Sequence, residues 1–226
     1  MNKNVISTAG RGPARRIIEE FFAQRPDLAG CRQDFDRAFR LIVECFRHAG
    51  TLFLCGNGGS FADALHISAE LVKSFERRRP VTEAHARALR SDPIGKKLAD
   101  ELETGLRAVP LGLNGSLASA IWNDKKQPNI HLAQELYVMG RRGDVLLAIS
   151  TSGNAKNVLY AMAVARVLGM KTIALTGAGG GRMAARGDVA LRLPATRTCL
   201  VQEQHQAVYH ALCLAVEAAF FPFTKN

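Results

Sequence analysis

The 226-residue chain lacks the features that define several protein classes. It has no run of about 18 apolar residues, which a membrane-spanning helix requires, and no apolar segment near its start that would predict a secretory signal. Its five cysteines form no Cys-x-x-Cys pair and are odd in number. A disulfide framework is therefore disfavoured, and a reducing, cytoplasmic location is expected. Internal repeats and low-complexity tracts are also absent, which favours a globular domain.

Basic residues outnumber acidic residues in this chain. The chain carries 30 Lys and Arg against 20 Asp and Glu, a net charge of +10, and the excess is spread along its length. A basic balance suits anionic partners, either nucleic acid or phosphorylated small molecules, although a solvated basic face is its more common explanation and charge alone does not choose. A DNA-binding regulator would need a helix-turn-helix segment, which the first 50 residues do not suggest. A nucleic-acid partner is therefore disfavoured.

Five short apolar runs have the length and composition of buried strands, and helical patterns alternate with them. Strands that alternate with helices predict a parallel sheet covered on both faces. We therefore expect an α/β fold with a doubly wound, five-stranded parallel sheet. The predicted strands are residues 51–55, 109–113, 144–149, 171–175 and 189–193.

Helical segments are predicted at both ends of the chain. Residues 1–50 have apolar groups at helical spacings and are expected to form an N-terminal segment that packs in an oligomer, followed by the main domain at 51–226. A long C-terminal helix at 201–221 is apolar on more than one face. Such a helix needs burial on all sides, which predicts a homotetramer; a central core helix in a monomer is the alternative.

Two polar loops follow predicted strands, at residues 56–60 and 150–154. In open α/β sheets, ligands bind beyond the carboxyl ends of the strands, and hydroxyls with free N–H groups at a helix start hold anions. Ser60 is predicted as the N-cap of the helix after the first loop. Neither loop matches the nucleotide-triphosphate or the dinucleotide glycine pattern. The loops therefore predict a site for a compact phosphate monoester, with tight turns as the alternative.

His66 and Glu70 are four residues apart on a predicted helix, a spacing that places both on one face. On the C-terminal helix, Gln202 and His210 are eight residues apart, which is about two turns. Imidazole and carboxylate groups together form a plausible zinc site. A helix-surface pair is the alternative for His66 and Glu70, and spacing alone leaves His205 as another candidate for the inward histidine.

Taken together, these motifs resemble the phosphoheptose isomerases of the sugar isomerase (SIS) superfamily. The resemblance extends over most of residues 32–221, in order. Its matching segments are 55–60, 63–71, 123–124, 143–154, 174–177, 180–181 and 202–205 leading to His210.

The resemblance implies a specific enzyme. It implies a homotetramer with active sites between subunits that interconverts sedoheptulose 7-phosphate and a heptose 7-phosphate for lipopolysaccharide or capsule. It also implies one zinc ion per site, held by His66, Glu70, Gln202 and His210, with Glu70 and His210 as the catalytic acid–base pair. The implied substrate contacts are Asn57, Gly58, Gly59, Ser60, Glu70, Asn123, Asp124, Ser150, Thr151, Ser152 and Gln202.

The chain departs from the family pattern at four places. Ala155 and Cys199 stand where a serine and an aspartate are usual, residues 81–108 resemble an insertion, and residues 125–129 replace an aromatic-rich segment. Another phosphorylated ketose therefore stays open as the substrate.

A different class of function is a non-catalytic SIS protein that binds a replication initiator or another protein partner. Such paralogues tend to lose the His–Glu pair and the histidine of the last helix. Because His66, Glu70 and His210 are all present, an enzyme is favoured.

Overall fold

The computed structural model describes residues 12–221 and shows an α/β fold around one parallel sheet. The strands are β1 (Leu52–Cys55), β2 (Ala108–Pro110), β3 (Val145–Ile149), β4 (Lys171–Thr176) and β5 (Val189–Arg192). The helices are α1 (Pro13–Gln24), α2 (Arg32–Arg47), α3 (Gly59–Val72), α4 (Glu83–Ser91), α5 (Gly115–Asp124), α6 (His131–Met139), α7 (Lys156–Val167), α8 (Gly181–Ala184) and α9 (Thr198–Phe220). Residues 1–11 of the predicted N-terminal segment lie outside the described residues.

The sheet has the strand order β2-β1-β3-β4-β5, and each neighbouring pair is parallel. The predicted fold class is confirmed, with every predicted strand close to its expected position. In this order the chain leaves β1 toward one edge and returns on the other side of β1 to form β3. The gap between β1 and β3 is therefore the switch point at which open α/β sheets bind ligands.

Helices cover both faces of the sheet, which explains why the strands are almost wholly apolar. Successive residues of β1 point to opposite faces, so that Leu52 and Leu54 pack into one core while Phe53 and Cys55 pack into the other. The first core also contains buried residues of α1, α2, α3 and α9, and the second contains those of α6 and α7. The sheet is thus doubly wound.

The apolar surface of α9 is covered largely within the chain itself. α1, α2 and α3 all pack against α9, and α9 residues such as Val208, Leu212 and Val216 are buried. This burial fits the alternative of a core helix within one chain as well as it fits an oligomer. The homotetramer and the packing of the N-terminal segment within it stay predictions. No helix within residues 12–221 is long and apolar enough to span a membrane.

The start of α3 differs from its prediction. The N-cap residue is Gly58, and Ser60 lies buried in the first turn of the helix instead of capping it. Gly58 has a φ of +52°, a left-handed conformation that glycine adopts without strain, and the turn into the helix is completed there. α3 then runs beside α9 in the same direction, with Gly59 next to Gln202 and His66 next to Tyr209.

The segment between α3 and β2 includes the predicted insertion at about 81–108. It contains α4, which is capped by the Thr82 hydroxyl accepting a hydrogen bond from the His85 backbone N–H at 3.3 Å. An isolated antiparallel bridge joins Pro80 to Glu103. The segment is therefore structured in its own right, while its status as an insertion stays a prediction.

Candidate active site

The two predicted ligand-binding loops lie side by side at the switch point of the sheet. The loop 56–60 follows β1 and the loop 150–154 follows β3, and these two strands are paired. The side-chain amides of Asn57 and Asn157 exchange two hydrogen bonds, at 2.9 and 2.8 Å, and tie the first loop to the start of α7. Sequence reasoning missed Asn157, whose only signal was its place in the first turn of a helix.

The loop 150–154 has the form of an anion site. Gly153 has a φ of +65°, and a Cβ at this position would collide with the backbone of Gly180, so the tight turn requires glycine. Ser150 is buried and Ser152 is exposed. α7 begins at Lys156 directly after the loop. The unpaired N–H groups of its first turn and the positive end of its dipole therefore reach the same edge of the sheet.

A second polar site lies between α3 and α9, and we call it the α3–α9 cluster: His66, Glu70, Tyr209 and His210. Nε2 of His66 lies 3.0 Å from Oε1 of Glu70. Nδ1 of His66 lies 3.0 Å from the Tyr209 hydroxyl. The rings of His66 and His210 contact edge to face, with centroids 4.9 Å apart. The predicted catalytic pair and the first predicted metal ligand are therefore brought together.

His210 is incompletely bonded in this cluster. Among the described residues, its buried Nε2 has no hydrogen-bond partner. Burial lowers the pKa of His210, and the neighbouring His66 lowers it further, while Glu70 acts in the opposite direction. The imidazole is therefore held neutral, with a free nitrogen. Because buried polar atoms in folded proteins are rarely left without a partner, this nitrogen marks a place for a ligand.

Asp63, one turn before His66, and His205 lie next to the cluster. Burial raises the pKa of Asp63 to about 6, and the Tyr209 hydroxyl opposes that rise. Burial and the Asp63 carboxylate raise the pKa of Tyr209. His205 is fully buried, with Nδ1 3.9 Å from Oδ2 of Asp63, and burial lowers its pKa to about 4. The sequence left open which histidine points inward; both do, and His210 is the one in contact with His66.

The predicted metal ligands fit zinc in their chemistry. Two ligand atoms of one tetrahedral zinc ion lie about 3.3 Å apart, close to the 3.0 Å between His66 and Glu70. Gln202 lies nearer the glycine loop, where a Cβ on Gly59 would collide with its amide. Within residues 12–221, no three His, Cys, Asp or Glu side chains are already placed to hold one metal ion. A bound ion would therefore require side-chain movement.

Asn123 and Asp124 are predicted substrate contacts that no hydrogen bond among the described residues connects to either site. They lie exposed at the end of α5 and are hydrogen bonded to each other at 2.9 Å. No hydrogen bond joins them to either loop or to the α3–α9 cluster within the described part of the chain. Their predicted role in substrate binding is therefore not explained by one chain alone.

The fold and the two sites define a class of protein. A hydroxyl-rich loop lies at the switch point of a doubly wound sheet, which is where such sheets bind ligands, and a partly buried imidazole–carboxylate pair on α3 is of the kind that enzymes use for acid–base chemistry. Comparison with known proteins gives the family. The family model described as SIS domain matches residues 28–105 and 123–177.

Individual relatives agree with this match. A phosphoheptose isomerase of Thiobacillus denitrificans is 38% identical over 186 residues, which cover 81% of this chain and 82% of the relative. One of Shewanella frigidimarina is 35% identical over 193 residues, covering 84% and 85%. The solved structure of a phosphoheptose isomerase from Neisseria gonorrhoeae superposes with a TM-score of 0.66 and 31% identity, covering 90% of this chain and 92% of that chain. The chain belongs to the phosphoheptose isomerase family of SIS-domain proteins and is a sugar-phosphate isomerase.

Proposed function

We propose that the protein interconverts sedoheptulose 7-phosphate and a heptose 7-phosphate through an enediol. The observation that carries the proposal is the contact of His66 with Glu70 and with His210 in one partly buried cluster, on the helix that follows the loop 56–60. The names of the relatives support a phosphorylated heptose as the substrate.

The phosphate is assigned to the loop after β3. Ser150, Thr151 and Ser152 supply hydroxyls, and the start of α7 supplies N–H groups and a positive dipole end. The loop 56–60 lies beside it and contributes Asn57, Gly58, Gly59 and Ser60 to the sugar. Since the Asn57–Asn157 bonds tie the loop 56–60 to the start of α7, the position of this loop is fixed before the substrate binds, which lowers the cost of ordering the site.

Glu70 is assigned as the base that moves a proton between C1 and C2. Its side chain is 15% exposed, enough to meet a substrate while most water is excluded. Nε2 of His66 lies 3.0 Å from Oε1 of this carboxylate. His210 is assigned to the proton transfers at the two substrate oxygens.

A zinc ion is the proposed cofactor, with one ion per site. His66, Glu70, Gln202 and His210 would hold it, a set of nitrogen and oxygen donors of the kind zinc prefers. When bound, zinc acts as a Lewis acid that polarises the substrate carbonyl.

The active site is proposed to lie between subunits of a homotetramer. Asn123 and Asp124 make no hydrogen bond to the rest of the site within the described chain, and the helices around them expose large apolar side chains. Trp122, Tyr137 and Val138 are 60%, 61% and 73% exposed. Exposed apolar side chains grouped in this way mark surfaces that other proteins cover. Light scattering is expected to give a mass near four chains, and a single-chain mass would contradict the assembly.

The test of the function is an isomerase assay on a panel of ketose phosphates with five, six and seven carbons. Aldose formation is followed by NMR for protein supplied with zinc and for protein treated with a chelator. We expect the highest kcat/KM with sedoheptulose 7-phosphate and loss of turnover on chelation. A higher kcat/KM with a shorter ketose phosphate would overturn the assignment of sedoheptulose 7-phosphate as the substrate, while the assignment of the reaction as an isomerisation would stand.

Turnover that persists after treatment with the chelator would overturn the assignment of zinc as the cofactor. No aldose from any ketose phosphate, with or without zinc, would overturn the reaction. In that case, the non-catalytic SIS protein that binds a replication initiator or another partner becomes the better account.

A further inference from the structure

A buried polar chain runs beneath His66 and is not needed for the proton transfers described above. It consists of Asp63 on α3 and Tyr209 on α9. Tyr209 is 2% exposed, and its hydroxyl lies 3.0 Å from Nδ1 of His66. The Asp63 carboxylate interacts with the same hydroxyl. The hydroxyl therefore connects a carboxylate to the nitrogen of His66 that faces away from Glu70.

Each nitrogen of His66 thus has one fixed neighbour. Nδ1 faces the Tyr209 hydroxyl, and Nε2 faces Oε1 of Glu70 at 3.0 Å. A neutral imidazole carries one N–H donor and one bare acceptor nitrogen. The neighbour that accepts the N–H therefore decides which nitrogen is left bare.

The Tyr209 hydroxyl has a single proton to donate, whereas an ionised carboxylate only accepts. Oδ2 of Asp63 has no hydrogen-bond partner among the described residues. The nearest histidine nitrogen, Nδ1 of His205, is 3.9 Å away, beyond hydrogen-bond distance. Donation from Tyr209 gives the Asp63 carboxylate a hydrogen bond and leaves the phenol oxygen free to accept the Nδ1 proton of His66.

We infer that Asp63 and Tyr209 are positioning residues that select the tautomer of His66 with the proton on Nδ1. Nε2 is then bare and faces Glu70, so that His66 and Glu70 offer a nitrogen and an oxygen lone pair to one cation. Metal-ligating histidines usually donate their other N–H to such a partner, and loss of the partner weakens metal binding. This inference rests on the proposed function, because it assigns a support to the zinc site.

Tyr209→Phe tests the inference, since it removes only the hydroxyl and keeps the ring that fills the core. We expect the zinc affinity, measured by competition with a chromophoric chelator, to fall by about 10-fold to 100-fold. Tyr160→Phe on α7 is the matched control and should bind zinc like the wild type. Asp63→Asn, which keeps the size of the side chain but loses its charge, should weaken zinc binding in the same direction.

Imidazole ¹⁵N NMR of the zinc-loaded protein gives a readout that a packing role would not move. The wild type should show the His66 proton on Nδ1. Zinc affinity in Tyr209→Phe and Asp63→Asn within twofold of the wild type, or a His66 proton on Nε2, would overturn the inference while leaving the isomerase reaction intact. If Tyr209→Phe does not fold, Asp63→Asn decides alone. A wild-type protein that binds no zinc would overturn the inference. The assay on ketose phosphates then shows whether the proposed isomerase function fails as well, because it measures turnover separately from zinc binding.

Discussion

Two buried polar groups contact the same helix, α9, and they differ in whether their hydrogen bonds are complete. The first is the Arg79–Glu217 pair, in which both side chains are fully buried. Nε and Nη2 of Arg79 donate to Oε1 of Glu217 at 3.0 and 2.7 Å. Arg79 also donates to the backbone carbonyls of Leu71 and Glu70. This pair fixes the end of α3 to α9.

The second group is the α3–α9 cluster, about two turns earlier along α9. There, Nε2 of His210 and Oδ2 of the adjacent Asp63 are buried without partners within residues 12–221. An unpaired buried polar atom costs about 1–3 kcal/mol, and a bound ligand would complete the bonding of these two atoms. Between these two groups, complete bonding distinguishes the structural pair from the cluster proposed as the active site.

The largest expected effect is loss of function from the incompletely bonded cluster. Glu70→Gln keeps the size of the side chain but cannot accept the proton from carbon, so kcat should fall by about 100-fold to 10,000-fold. The free energy of unfolding should change little. Glu76→Gln, whose side chain is exposed, is the matched control. Steady-state kinetics and urea unfolding of both variants provide the check, and near-normal turnover in Glu70→Gln would contradict the assignment of the base.

The completely bonded pair should respond in the opposite way, through stability. Arg79→Met leaves the Glu217 carboxylate buried without its partner and should lower the free energy of unfolding by about 3–5 kcal/mol. The double variant Arg79→Met with Glu217→Leu removes both charges and should recover much of that loss. Urea unfolding of the two variants tests this, and a single variant as stable as the wild type would show that the pair does not anchor α9.

The loop after β3 lies outside both groups. A substitution in this loop should weaken substrate binding without changing turnover. Ser152→Ala removes one hydroxyl assigned to the phosphate. Hydrogen bonds to charged groups contribute about 1.5–3 kcal/mol, so KM should rise by about 10-fold to 100-fold while kcat changes little. Ser91→Ala on α4, also exposed, is the control. A fall in kcat with an unchanged KM would place Ser152 in the chemistry instead.

A smaller effect concerns Asp63 and pH. Burial raises the pKa of Asp63 from 3.8 to about 6, so the folded state holds this proton more tightly than the unfolded state. The resulting stability is fully present below about pH 4 and is lost as the pH rises through about 6. The asparagine side chain of the Asp63→Asn variant cannot ionise. Above that pH, the free energy of unfolding of the metal-free variant should therefore exceed that of the metal-free wild type by about 1–3 kcal/mol. Urea unfolding over a pH series tests this, and a stability difference that does not change with pH would contradict it.

The sheet and its loops could be predicted from the sequence because their signals are local. The strands β1, β3 and β4 are short apolar runs followed directly by glycine or serine, and the order of strands and helices along the chain is enough to imply a parallel sheet. The start of α3 shows the limit of local reasoning. Ser60 has the side chain of an N-cap residue, but the positive φ of Gly58 begins the helix two residues earlier.

The functional site could be predicted only in part. His66 with Glu70 and Gln202 with His210 were found because each pair lies on one helix at a helical spacing. Tyr209 with His66 and Arg79 with Glu217 were missed, since the members of these pairs are 143 and 138 residues apart. Spacing also could not distinguish His210 from His205, because both face inward and only the packing of α3 against α9 shows which one contacts His66.

The central claim is that the α3–α9 cluster moves a proton between two carbons of a phosphorylated ketose. The most direct measurement uses sedoheptulose 7-phosphate deuterated at C1 and follows cleavage of the C1–deuterium bond by NMR in the wild type and in Glu70→Gln, both supplied with zinc. The account predicts cleavage with aldose formation in the wild type and neither in the variant. Cleavage at an undiminished rate in Glu70→Gln would contradict it.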